Sequence, residues 1–127
     1  MTECNGTKSY TVGEDSTFVV LARVQKTDGT YALKADISTI TVTLFDTSEV
    51  TATQVGTIST YSGAGLVPVF FDTLDTSAIW TKAKDSIGFN LKLKGSVPDA
   101  DHTYDMEVFI TFANTDTQKL KFNLKSK

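Results

Sequence analysis

From residue 103 to residue 125 the chain alternates between apolar and polar side chains with a period of two, once on each side of a short turn. In "TYDMEVFITFAN", Tyr104, Met106, Val108, Ile110 and Phe112 share one face, and in "QKLKFNLKSK", Leu120, Phe122 and Leu124 do the same. Successive side chains of a strand point to opposite sides of a sheet, so this pattern specifies a β-hairpin with one buried face. A helix would scatter the same apolar residues around its circumference. Asn114-Thr115-Asp116-Thr117 between the two runs supplies residues suited to a tight turn.

The same period recurs upstream. "SYTVG" (9–13) predicts a short first strand. "STFVVLARVQK" (16–26) predicts a long second one, ending at Thr27-Asp28-Gly29-Thr30, where Asp-Gly is a hairpin signal. "TYALK" (30–34) is its short partner and "ADIS" (35–38) a turn. "STITVTLFDT" (38–47) puts Ile40, Val42 and Leu44 on one face and Thr41, Thr43 and Phe45 on the other. "TATQVGTIST" (51–60) is a weaker strand and "YSGAG" (61–65) a glycine-rich loop. "LVPVFFDTL" (66–74) is extended, and Pro68, which cannot donate to a ladder, assigns it to a sheet edge or a bulge. "SIGFNLKLKG" (86–95) turns Phe89, Leu91 and Leu93 inward and Lys92 and Lys94 outward, and "SVPDADH" (96–102) is a loop.

Seven to nine short strands separated by turns describe an all-β fold, an antiparallel β-sandwich of immunoglobulin-like or jelly-roll-like type. The Cys…Trp…Cys marker of true immunoglobulin domains is missing. One segment departs from the strand period. In "DTSAIWTKAKD", Asp75 or Thr76 can cap a short helical turn near 75–82. The segment is expected to connect strand 66–74 to strand 86–94 in the opposite sheet. Leu74, Ile79 and Trp80 would plug the end of the sandwich there, the tryptophan alone burying about 200 Å².

A chain of 127 residues fits one domain, here 1–127 with a polar N-terminal arm at about 1–9. Folding such a chain reduces its surface from about 20,000 Å² to about 6,600 Å², so a core forms without disulfides or metal. Twelve basic against fifteen acidic residues leave a net charge of −3. That balance argues against nucleic acid and against anionic membranes as partners. With one cysteine, Cys4, and one histidine, His102, neither an internal disulfide nor a Cys/His zinc site can form. No apolar run approaches 18 residues, and "MTECNGTKSY" lacks the apolar core of a secretion signal. The expectation is a protein made and kept in a cytoplasm, with no cofactor.

No catalytic set is expected. His102 sits in a loop beside Asp99 and Asp101, and no Gly-x-Ser-x-Gly elbow is present. Asp99, Asp101 and Asp105 alternate as calcium ligands could, but the Asp-x-Asn-x-Asp-Gly run with its distal Glu is absent, and acidic turn residues ordinarily make Asx turns. No metal residue is therefore assigned. "SGAGL" lacks the Lys-Ser/Thr and the helix of a phosphate loop. Lys119, Lys121 and Lys125 form a solvated strand face. Apolar residues that miss the core face are more informative. Phe45 and Phe109 lie opposite the core sets of their strands, and the strand containing Val67 and Val69 is apolar on both faces. These four are the expected partner interface, because bare apolar area on a small sandwich favours association.

Several short patterns resemble small β proteins encoded among tailed-phage and prophage structural genes. They are Asp72-Thr73-Leu74, then Trp80-Thr81, then Asp85-x-x-Gly88-Phe89-Asn90. Ala22-Arg23-Val24-Gln25 with Asp28-Gly29 is similar to their opening hairpin, and Asp36-Ile37-Ser38-Thr39-Ile40 with Thr43-Leu44-Phe45-Asp46 to the next strand. Tyr104-x-Met106-Glu107-Val108-x-Ile110-x-Phe112 followed by Lys121-Phe122-x-Leu124 resembles their final hairpin. The resemblance spans residues 17 to 125, with Gly88-Phe89-Asn90-Leu91 standing where a Gly-Tyr-Asn-Phe is expected. It implies a virion structural protein without catalytic residues, a capsid decoration subunit before a tail or neck one, contacting other virion proteins or further copies of itself. The alternative is a carbohydrate- or receptor-binding sandwich, with Tyr31, Tyr61 and Trp80 as its exposed aromatics.

Overall fold

The computed structural model describes residues 8–13, 17–75 and 89–127. Eight strands follow in chain order: β1 (Lys8–Val12), β2 (Phe18–Ala22), β3 (Ile37–Asp46), β4 (Thr53–Tyr61), β5 (Phe70–Asp75), β6 (Phe89–Gly95), β7 (Thr103–Phe112) and β8 (Thr117–Ser126). Short 3-10 turns at Lys34–Asp36 and Gly63–Leu66 are the only helical elements among the described residues. The expected turn near 75–82 lies outside them, apart from Asp75, which ends β5.

The strands form two packed sheets, β1-β8-β7-β3-β4 and β2-β6-β5. All pairings are antiparallel except that of β1, which runs parallel to β8 and so departs from the expected pattern. Without β1, the order is that of an immunoglobulin-type sandwich, with B-E-D in one sheet and G-F-C-C′ in the other. That selects the first of the two expected architectures.

The core follows the period-two pattern. Ile40, Val108, Ile110, Leu120, Leu91, Phe89 and Phe70 are fully buried between the sheets, with Met106, Leu93, Phe122 and Leu124 beside them. Met106, two residues after Tyr104, is buried in the core, where its unbranched side chain packs between the sheets.

Three local expectations are corrected. Strand β2 stops at Ala22 rather than near residue 26. Beyond it, residues 23–32 form a looser hairpin with a single bridge, Gln25 to Tyr31. The predicted Asp-Gly turn is present, with the Asp28 carboxylate accepting hydrogen bonds from the Thr30 N–H at 2.9 Å and its hydroxyl at 2.6 Å. Residues 66–69 are a turn instead of a strand, closed by Val67 N–H to Ala64 O and Val69 N–H to Leu66 O, and Pro68 sits within it. Finally, β5 and β6 are neighbours in one sheet rather than members of opposite sheets.

Gly95 and Gly56 show where the backbone needs glycine. A Cβ on Gly95 would meet the Phe18 ring at 2.8 Å, across the β2–β6 pair. Gly56 has φ of +69° within an irregular stretch where the register of β4 slips against β3 between Val42 and Leu44. A bulge in an edge strand twists its free main chain away from easy pairing.

Candidate functional site

The two ends of the large sheet and its outer face are the three surfaces to weigh. The first end lies where β3 begins and β7 turns into β8. A cavity of about 610 Å³ opens there between Gln25–Asp28 of the loose hairpin and the 112–119 turn, with Asp36 at its side. Most of the residues that line it are polar, with Phe112 and Ala113 among them. Lys26 pairs with Asp36 at 3.7 Å, and Asn114 and Asp116 bond each other, so much of this hydrogen-bonding capacity is already used within the protein. Phe112, beneath, is buried.

The wall of this cavity is held by Asn90. Alternation along β6 places Asn90 opposite Phe89 and Leu91, yet it is only 1% exposed. Its Oδ1 accepts from the Val24 N–H at 2.7 Å, and its Nδ2 donates to the Val24 carbonyl at 3.0 Å and the Ala32 carbonyl at 3.2 Å. The side-chain amide thus takes over from the main chain where β2 has stopped.

The opposite end is a corner formed by the end of β3, the loop before β7 and the end of β8. The Tyr104 hydroxyl accepts from the Asp99 N–H at 3.1 Å and donates to the Asp99 carbonyl at 3.4 Å. This is a tyrosine corner, the device by which immunoglobulin-type sandwiches fasten the E–F loop. The His102 ring stacks on Tyr104, with centroids 6.1 Å apart. His102 Nδ1 lies 2.7 Å from Asp46 Oδ2, and the other Asp46 oxygen accepts from the Ser48 N–H at 2.9 Å. Ser48 Oγ in turn accepts from the Thr103 N–H at 2.9 Å.

These contacts hold the Asp46 carboxyl below the ordinary carboxylate range, the Ser48 N–H contributing most and His102 next. The hydrogen bond to Asp46 raises His102 above its ordinary value, against a smaller opposing effect of burial. The charges of Asp46, Asp99 and Glu49 act in the same direction.

Asp46, Asp99 and His102 bring their polar atoms within 4.8 Å of one another. The closest of these contacts is an ion pair whose two partners satisfy each other, and Asp99 is exposed. We assign no metal ligands here. The alternating acids read from the sequence do not converge: Asp105 lies on the outer face of β7, 3.2 Å from Lys121, and Asp101 is an exposed turn residue with φ of +61°. Among the described residues no hydroxyl is hydrogen-bonded to the His102 ring. Ser126 N–H bonds the His102 carbonyl, but its side chain is fully buried and its Oγ has no hydrogen-bond partner.

The third surface is the outer face of the large sheet. Phe109 stands there 44% exposed, in register with Thr41 of β3 and Lys119 of β8, and Phe45 is half-buried in register with Asp105. Ile58 on the neighbouring β4 is also exposed. The lysine row flanking this face is partly paired, Lys119 with Glu107 at 3.1 Å and Lys121 with Asp105.

Of the other two residues expected at an interface, Val67 is exposed but Val69 is buried in the core. The correction has a simple cause: residues 66–69 turn, so Val67 and Val69 do not share a strand face. Leu74 is half-buried, while Ile79 and Trp80 lie outside the described residues. Tyr31 and Tyr61 are half-buried, and neither lines the polar cavity. The SGAGL stretch forms the 3-10 turn Gly63–Leu66. Among the described residues no helix is long and apolar enough to cross a membrane.

Comparison of the chain with models of known protein families and with curated protein sequences gives no match.

Proposed function

We propose that this protein is a non-enzymatic structural subunit of a tailed phage or phage-like particle, a capsid decoration subunit before a tail or neck one. It acts by protein–protein contact, and its working surface is the outer face of the large sheet. The observation that carries this reading is Phe109: a phenylalanine 44% exposed in the middle of a regular strand, on the face away from the core. Phe45 and Ile58 extend the apolar character of that face, and charged pairs at Glu107–Lys119 and Asp105–Lys121 border it. An apolar centre with a charged border suits docking to a protein surface. The sequence resemblance to phage structural proteins supports the same class.

A second reading, a carbohydrate- or receptor-binding sandwich, is favoured by the polar cavity between the residue 25–28 hairpin and the 112–119 turn. In immunoglobulin-type sandwiches the B–C and F–G loops at this end are the ones antibodies use to bind. The aromatics expected to serve it, Tyr31 and Tyr61, do not line the cavity.

The test is the solution mass of the purified chain by light scattering over a concentration series. A stable trimer, hexamer or larger ring supports the assembly reading. A monomer at every concentration, together with retention of the chain on immobilised glycans, would replace it with the second.

A further inference from the structure

We propose that His102 is a proton-operated latch that, when protonated, ties the end of β3 to the loop preceding β7 and, when neutral, lets that end of the sandwich loosen. The inference rests on the corner itself and holds whatever partner the sheet face takes. Asp46 is the last residue of β3 and His102 immediately precedes β7, and their side chains meet at 2.7 Å. The pair lies among the bonds that close this end. Thr47 N–H donates to the Thr103 carbonyl at 2.8 Å, Thr103 N–H to Ser48 Oγ, and Ser126 N–H to the His102 carbonyl at 2.9 Å.

The surroundings of the imidazole are one-sided in charge. Asp46 faces it from β3, Glu49 from the loop that follows and Asp99 from its own loop. Tyr104 of β7 covers one ring face, and β8 meets the turn through the Ser126 main chain, accepting from the Asp101 N–H at 3.1 Å. Protonation therefore adds a positive charge to an acidic corner, where it strengthens the bond to Asp46. A neutral imidazole can still donate from Nδ1, but without the charge.

The direction of the pH dependence follows. His102 titrates above its ordinary 6.5, so its contribution is complete below that pH and fades as pH rises through the raised value. Asp46 titrates below its ordinary 3.8, so its contribution is complete above that pH and fades as pH falls through the lowered value. The latch is thus closed between these two limits and opens on the alkaline side.

His102 is the only histidine in the chain, so its ring protons give an unambiguous NMR titration. In the full-length wild-type chain, the Ser48 and Thr103 amide shifts should move with the same midpoint, which should lie above the ordinary histidine value. Their amide-exchange protection factors should be several-fold higher at about pH 5 than at about pH 8. Asp46→Asn should lower the His102 midpoint and remove the difference in protection. If the histidine titrates at or below its ordinary value, or if Ser48 and Thr103 do not follow it, the proposal is overturned. The wild-type titration alone decides this should the variant fail to fold.

Discussion

The two ends of the large sheet are built from similar parts and held in different ways. At the corner end, three strands are joined by short hydrogen bonds in several places: Tyr104 to the Asp99 main chain, His102 to Asp46, Ser48 to Thr103 and Ser126 to His102. At the cavity end, main-chain bonds from Lys26 N–H to the Thr30 carbonyl and from Ala32 N–H to the Val24 carbonyl close the 23–32 hairpin, and the buried amide of Asn90 ties it to β6. At the corner several polar contacts share the closure, so losing one loosens that end locally without opening it. At the other end one buried amide carries three bonds between the hairpin and β6, so its loss costs more. The surface proposed to dock a partner lies between the two, on a regular sheet face that neither end needs to move.

Substitutions at the two ends test this contrast. The largest effect is expected from Asn90→Ala, which removes the partner of the Val24 N–H and of the Ala32 carbonyl and one of the two donors to the Val24 carbonyl. Urea unfolding should show a loss of about 3 kcal/mol or more, with amide protection disappearing first in residues 23–32. A loss below about 1 kcal/mol would mean that the hairpin carries its own stability. Tyr104→Phe removes only the hydroxyl of the corner and keeps the buried ring. It should lower stability by about 1–2 kcal/mol in the same assay, less than Asn90→Ala because other bonds still close that end. If the order of the two variants were reversed, the comparison of the ends would be wrong.

Ser126→Ala is expected to go the other way. Its Oγ is buried without a partner, so replacing it with a methyl group should be neutral or raise stability by up to about 1 kcal/mol, read as a higher urea midpoint at constant slope. The smallest effect is that of pH on overall stability. Because the His102–Asp46 pair is partly solvated, raising the pH through the His102 transition should lower the thermal midpoint only slightly, and Asp46→Asn should flatten that slope.

How far the sequence carried the fold depended on how regular each element is. The β7–β8 hairpin and β3 were legible residue by residue, because one face is buried and the other wet and the period is unbroken. The 66–69 stretch misled because a turn that buries Leu66 and Val69 and exposes Val67 looks, in composition, like a strand apolar on both sides. Strand β2 was read too long because Val24 continues its inward set although the ladder has already stopped. Asn90 could not be found by period, since alternation assigns it to the solvent side. Its burial comes from a hairpin 58 to 66 residues away in sequence. The Asp46–His102 pair was hidden for the same reason, its members standing 56 positions apart. Only strand register brings them together. On the candidate face, Phe45 and Phe109 were legible as apolar residues out of phase with the core, whereas Val69 was in phase with a turn.

The outer face of the large sheet is the surface proposed to do the protein's work. Light-scattering masses of the wild-type chain and of Phe109→Glu, measured side by side at equal concentration, test it most directly. Glutamate at this position would stand opposite Lys119 and so is compatible with the folded sheet. The prediction is a multi-subunit mass for the wild type and a mass near 13.8 kDa for the variant, with unchanged unfolding. Equal masses for the two chains would contradict it.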